Sequence, residues 1–384
     1  MINRMLIRGK LIKRIDKNLF LDLLHAIAEG VVLFTFVFLL KRLFDLTDLF
    51  VSGGASLTST FGLVFSLLPS IMVQTFPMAT LLAAMMVYGR LVSDNEFIAL
   101  QAVGYSPAQL LVPAAITGIF MFSLMNVWAH YTAPKGLEYF RTVATDILRN
   151  SASTGIRPGS FTPPIGPFIL FPSEIDDGQM RFLRMFEQRP DGQIAGVVAS
   201  PSATIRFLPE ENRLTLALED GNLHQIPSPD RDIVMLYDQL QISLSMPQLL
   251  NRFAASSREA HRLLTPDLRE RRDEYQQIYE ETNEWAAHDR YQRISIEIAQ
   301  RYAMPFACFI MVLMGALLGM RSGTGKRSSC YATTILVIFI YYIMMSFGET
   351  QFEDDNISAW VGIGAPNVVA GLFTLYLFWR SHRI

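Results

Sequence analysis

YGRLVSDNEFIALQAVGYSP, Tyr88 to Pro107, decides how this chain is read, because it is a short polar stretch set between two long apolar ones. Upstream the residues from about Phe61 to Val87 are apolar, and downstream those from about Leu110 to Ala129. At about 1.5 Å per helical residue, each is long enough to cross the roughly 30 Å hydrocarbon core of a bilayer. Arg90, Asp94 and Glu96 keep the stretch between them out of lipid. Leu91, Phe97, Ile98 and Leu100 fall largely on the other side of a helical wheel from those charges, and Gly104 followed by Ser106-Pro107 stops one helix and starts the next. The stretch therefore reads as a helix, about residues 89–104, that a membrane protein presents to a soluble partner; an ordinary connecting loop is the plainer reading.

Composition agrees with a membrane location. Hydrophobic residues make up 51% of the 384 and charged ones 18%, against about a quarter charged in an average soluble domain. The charges concentrate at the N-terminus and between Glu174 and Arg301, leaving apolar blocks at both ends of the sequence. A net charge of −2 gives no reason to expect nucleic acid. Both cysteines, Cys308 and Cys330, lie in or beside apolar segments, so the stretch between Ala133 and Arg301 needs a packed core rather than disulfides.

Six apolar blocks follow one another: Leu21–Leu40, Phe61–Val87, Leu110–Ala129, Tyr302–Met320, Cys330–Phe347 and Trp360–Trp379. The arrangement is three spans, a large insertion, then three more. Asp22, His25 and Glu29 make the start of the first span the least clean, with an interfacial helix and a lipid-buried one both open for it. No signal-peptide pattern is present. Arg4, Arg8, Lys10, Lys13, Arg14 and Lys17 precede the first span against the single acid Asp16, which places the N-terminus in the cytoplasm. Arg321, Lys326 and Arg327 then join spans four and five inside, while Glu349, Glu353, Asp354 and Asp355 join spans five and six outside. On this orientation the 89–104 helix faces the cytoplasm and the insertion faces outward. The expected domains are an N-terminal transmembrane half over 1–140, a β-domain over 141–265, and a C-terminal half over 266–384.

The insertion reads as β structure followed by a long helix. Short β-rich runs stand at Phe168–Phe171, Met180–Phe186, Ile194–Ala199, Ala203–Leu208, Arg213–Leu218 and Ile233–Leu244, with turn signals at Asp176-Asp177-Gly178, Pro190-Asp191-Gly192, Glu211-Asn212 and Asp220-Gly221-Asn222. At this size a sandwich or jelly-roll is the natural all-β solution. Beyond Pro266 a charged helix, Asp267–Arg301, is expected to run straight into span four, its acids and bases forming a solvated face.

Catalytic motifs are not supported. GTGKRS at Gly323–Ser328 lacks the phosphate-loop pattern, with Met320 where Gly is required and Arg327 where Ser or Thr is required. His25, His130, His224, His261, His288 and His382 show neither HExxH nor Cys/His ligand spacing, so no metal site is expected. No GxSxG elbow is present. The chain is not expected to be an enzyme or to bind a cofactor of its own.

GRLVSDNEFIALQAVGYSP (Gly89–Pro107), NVWAHYTAPKG (Asn126–Gly136), RYAMPFACFIMVLMGALLG (Arg301–Gly319), Tyr341-Tyr342 and Ala365–Asn367, in this order and around a β insertion, resemble the LptF/LptG permease family of lipopolysaccharide export. The resemblance covers nearly the whole chain; the length of the charged helix around Asp267–Arg301 is its one departure. It implies a half-transporter that pairs in the inner membrane with a related LptF or LptG permease and takes its ATPase from a cytoplasmic LptB dimer. Lipopolysaccharide would leave the outer leaflet for a periplasmic bridge beginning at LptC. ATP is then used by the partner alone. Glu96 matches the acidic position of the family's coupling helix, where it would pair with an arginine of the ATPase; Asp94 and Arg90 flank it. Lys41 matches a basic position at the end of the family's first span. With Arg42, and on weaker grounds Arg141, it is a candidate for holding lipid phosphates, the plainer reading being a snorkelling basic pair. A permease half for another envelope lipid or lipoprotein, and a membrane scaffold or sensor with a ligand-binding β-domain, are the alternatives.

Overall fold

The computed structural model describes residues 2–45, 57–154, 158–161, 168–176, 179–188, 194–208, 213–228, 231–245, 259–283, 285–321, 327–354 and 357–381. Helices carry most of them. These are α1 (Ile2–Asp45), α2 (Leu57–Ser93), α3 (Glu96–Ala102), α4 (Pro107–Leu110) and α5 (Val112–Val127), then a π-helical turn, Trp128–Thr132, leading into α6 (Ala133–Thr154). After the strands come α7 (Glu259–Arg262), α8 (Thr265–Thr282), α9 (Trp285–Arg321), α10 (Arg327–Glu353) and α11 (Ala359–Ser381). Among the described residues, six helical stretches are long and apolar enough to span a bilayer: Ile15–Arg42, Phe61–Ser93, Pro107–Ala144, Trp285–Arg321, Cys330–Glu353 and Ala359–Arg380. The protein is a multi-pass membrane protein with a separate β-sheet between its third and fourth spans.

Two compact units form, one from Met1–Leu39, Leu68–Gly136 and Glu259–Ile384, the other from Leu40–Leu67 and Leu137–Arg258. In the first, Leu19, Leu23, Ile27 and Val31 recur every four residues on α1 and are buried with Ala79 and Ala83 of α2 in one apolar core. Val32, Leu33, Phe36 and Val37 face away from it and stay exposed, as suits a helix that meets lipid on its outer side. Pro69, Pro77, Pro305 and Pro366 lie inside helices, which packed membrane helices tolerate. Cys308 and Cys330 are buried free thiols.

The β insertion is a five-stranded antiparallel sheet in which each strand pairs with its neighbour in sequence: β1 (Phe168–Asp176), β2 (Gln179–Gln188), β3 (Ile194–Leu208), β4 (Arg213–Ser228) and β5 (Arg231–Ser245). Leu170, Met180, Leu183, Met185, Val198, Ala203, Leu216 and Leu218 make its buried apolar cluster. Two of the six expected runs are one strand here. Pro201, which lies between those two runs, has no pairing partner within β3; beside it Phe182 (φ 51°) and Asp220 (φ 49°) are likewise skipped in β2 and β4. Asp220-Gly221-Asn222 therefore lies inside β4 and is not a turn; the register with β3 and β5 is the same on either side of it. Ser200 bridges to β4 beside this irregularity, its Oγ donating to the Glu219 carbonyl at 2.6 Å and accepting from the Glu219 N–H at 3.2 Å. The Pro190–Gly192 and Glu211-Asn212 turn signals lie outside the described residues.

The charged helix differs from expectation. Asn283 takes the left-handed conformation (φ 53°) and ends α8, so α8 and α9 are separate helices packed on each other rather than one rod running into the membrane. Leu268 of α8 is fully buried with Ile294 and Ile298 of α9.

Candidate functional site

The stretch that opened the reading is shorter as a helix than its sequence suggested. Tyr88–Ser93 continues α2, Asp94 and Asn95 form a turn with Asn95 left-handed (φ 60°), and α3 spans only Glu96–Ala102. Gly104 (φ 91°) then lets the chain turn away, and Ser106 begins α4 with a capping box: its Oγ accepts from the Gln109 N–H at 3.2 Å while Gln109 Oε1 accepts from the Ser106 N–H at 3.0 Å. Beneath the loop, the buried Tyr88 donates to the Leu110 carbonyl at 2.6 Å, tying the end of span two to the start of span three. The platform is firm and its tip is bare. No residue of α3 is buried; Phe97 and Leu100 rest half-buried on the core, while Glu96, Ile98 and Val103 are exposed. Ile98, expected on the inner side of the wheel, faces out because seven residues make barely two turns and only Phe97 and Leu100 reach the core.

The three charges here have different surroundings. Arg90 pairs with Asp22 of α1 at 2.7 Å, an exposed pair of the kind that contributes about 0–1 kcal/mol. Asp94 accepts from Ser93 Oγ at 3.3 Å. Glu96 stands in the first turn of α3, where its charge complements the helix dipole, and has no ion-pair partner among the described residues. At the far end of α1, Lys41 is exposed and Arg42 half-buried; Arg141 is half-buried on α6. Lys41 and Arg141 also have no ion-pair partner among the described residues.

A buried polar cluster went unnoticed in the sequence. Arg301 on α9, 3% exposed, donates from Nε to Glu297 at 2.8 Å, from Nη1 to the Leu263 carbonyl at 2.8 Å and Thr265 Oγ1 at 3.3 Å, and from Nη2 to the carbonyls of Ala260 at 3.3 Å and His261 at 3.2 Å. The other oxygen of Glu297 bonds His261 Nδ1. Thr265 Oγ1 in turn meets Nδ1 of His130, in the π-turn, at 2.6 Å. All five N–H directions of one guanidinium are used. The cluster joins the segment re-entering the helical unit, Ala260–Thr265, to spans three and four. Glu297 and Arg301 are therefore not part of a solvated face. Their spacing of four on an otherwise apolar helical face was the visible signal; the contributions of His130 and Thr265, 135 residues apart, had no local one.

Among the described residues no group of three or more His, Cys, Asp or Glu stands together as a metal-ligand set. The loop Gly323–Ser328 lies largely outside the described residues. No curated protein matches this sequence. The family model for lipopolysaccharide export system permeases LptF/LptG matches residues 19–380, nearly the whole chain, with its six spans, its exposed helix between spans two and three and its β insertion. The chain belongs to the LptF/LptG family of lipopolysaccharide export permeases.

Proposed function

We propose that this chain is one permease subunit of an inner-membrane ABC transporter that extracts lipopolysaccharide from the outer leaflet and passes it to a periplasmic bridge. Its partners are a second LptF/LptG permease, an LptB-like ATPase dimer and an LptC-like bridge protein. The N- and C-termini and α3 are cytoplasmic, and the β-domain, 141–265 between transmembrane halves 1–140 and 266–384, is periplasmic. Reporters fused after Asp94 and after Lys326 are expected to read cytoplasm, and those near Asp191 and Asp354 periplasm. An outward reading at Asp94 overturns the orientation and the docking role together.

The observation that carries the reading is α3 itself, a helix seated on a firm platform yet with no buried residue, offering Glu96 in its first turn, the exposed Ile98 and, just past its end, the exposed Val103. A carboxylate beside apolar side chains suits an interface whose charged contact is directional, and a guanidinium of the ATPase answers it. Glu96→Ala is expected to weaken ATPase recruitment, or to uncouple ATP hydrolysis from export, while the permease still inserts. Truncating one partner of a desolvated charge pair costs about 2–5 kcal/mol. Normal assembly with normal lipopolysaccharide release in proteoliposomes contradicts the role. Arg90 supports the platform through Asp22, and Asp94 shapes the turn.

Lys41 and Arg42, with Arg141 as a weaker third, hold the phosphates of the lipid cargo. Lys41 is exposed and has no acidic partner among the described residues to give up. With a photocrosslinker at position Phe44, lipopolysaccharide capture is expected to fall when Lys41 and Arg42 both become Gln, and further when both become Glu, because repulsion then replaces attraction in a poorly screened interface. Equal capture in all three returns the pair to snorkelling. On the β-domain, β5 is an edge strand of the described sheet, and its Ile233, Val234, Met235 and Leu236 are all exposed, Leu236 at 86%. An apolar, unpaired edge supports β5 as the strand that meets the bridge protein.

A further inference from the structure

Between α9 and α11 runs an apolar groove. Ala299, Ala303 and Gly364 form its floor, where small side chains leave the packed pair hollow, and Phe306, Ile310 and Val368 line its length. Its volume is about 340 Å³, more than twice the about 150 Å³ of an engineered cavity that takes up benzene. Eight residues separate Tyr302 from Ile310 and Trp360 from Val368, so the groove extends about 12 Å along the helices. Phe306, Trp360 and Val368 are exposed, which leaves it open on the lipid side. A Cβ added at Gly364 meets no atom within 4 Å.

The mouth is chemically different from the trench. The rings of Tyr302 and Trp360 stand 5.7 Å apart there, the pairing found where a span meets the headgroup layer. Arg269 of α8 donates to the Tyr302 hydroxyl at 2.6 Å and lies 5.8 Å from the centre of its ring. Its neighbours Arg271 and Arg272 pair with Glu274 and Asp273. Arg269 is exposed and has no carboxylate partner among the described residues. Because the tyrosine oxygen accepts from Arg269, its own hydrogen is free to point outward.

We propose that this groove binds one anionic glycerophospholipid of the surrounding bilayer. Its phosphate accepts from Arg269 and from the Tyr302 hydroxyl, and one acyl chain lies along the trench over Gly364. A single guanidinium above a trench one chain wide suits a monophosphate lipid, and a partner helix, about 10 Å across with its side chains, is too broad for a floor of three small residues. The site shares no residue with the Lys41–Arg42 pair and does not rest on the transport reading.

The test is native mass spectrometry of the full-length chain in detergent, titrated with phosphatidylglycerol and with diacylglycerol of the same chains. The original protein is expected to retain one phosphatidylglycerol and little diacylglycerol. Gly364→Leu, which fills the trench, and Arg269→Gln, which removes the charge, are each expected to lower retention about ten-fold. Gly364→Ala is expected to bind like the original. Arg269 is exposed, so its exchange leaves the fold intact and decides the matter if Gly364→Leu is poorly produced. Undiminished retention in Arg269→Gln, or equal retention of diacylglycerol, overturns the proposal. So does a Gly364→Leu protein that keeps its lipid but loses a co-purifying membrane chain, which would make the groove a helix-docking face.

Discussion

Arg301→Ala is expected to cost about 3–5 kcal/mol of stability, the loss typical of breaking a buried ion pair by removing one partner. The reason is what the arginine leaves behind. Glu297 would stay buried with only His261 against it, and the carbonyls of Ala260, His261 and Leu263 would each lose a donor in a site closed to water. Total stabilities of about 5–15 kcal/mol make that a large fraction. Arg301→Lys is expected to fall less but still measurably, because an ammonium reaches Glu297 without matching the planar fork that serves the three carbonyls. Thermal unfolding in detergent, followed by loss of monodisperse protein, is the measurement. The order original, Lys, Ala is the expected one; an Ala variant melting like the original would show the cluster to be incidental.

The segment that the cluster holds is where sequence reading was least informative. Six spans were legible because length and apolar composition are properties of the local chain, and a bilayer demands both. The helix before Pro107 was legible in place but not in extent. Tyr88–Ser93 keeps the helical pattern of its span, and the break comes at Asn95, a residue that adopts the left-handed conformation without the clear mark that glycine gives. Asn283 hid the division of α8 from α9 in the same way. In the sheet the difficulty was reversed. Asp220-Gly221-Asn222 carries the positive-φ chemistry of a turn, and an irregular position inside a strand can use the same chemistry, so only pairing with β3 and β5 tells them apart. Glu297 and Arg301 were visible as a pair at helical spacing, yet their burial depends on Ala260–Thr265 folding back over them, which no periodicity announces.

Gly315→Leu is expected to be nearly as damaging, through packing rather than charge. Gly315 and Gly319 stand one turn apart on α9 and form the contact that lets it lie against α2. A Cβ at Gly315 would come within 2.7 Å of the Leu81 carbonyl oxygen and 2.9 Å of Ala84 Cβ, and one at Gly319 within 2.9 Å of the Met85 carbonyl oxygen. Overpacking a core costs about 1–3 kcal/mol where side chains can move aside. Here the obstacle is largely backbone, so relief requires the two helices to separate. Separation would carry Tyr88 with it, since Tyr88 Cβ lies 3.0 Å from the position of a Gly319 Cβ, and Tyr88 is the residue whose hydroxyl fixes the base of α3 to Leu110. Two consequences are expected: a lower yield of folded protein, and poorer ATPase recruitment by whatever folds. Gly371→Leu on α11 is the control, because an added Cβ there meets nothing nearer than 3.9 Å. Size-exclusion yield and thermal unfolding of the two variants side by side give the answer. If both behave like the original, α2 and α9 do not depend on this close contact.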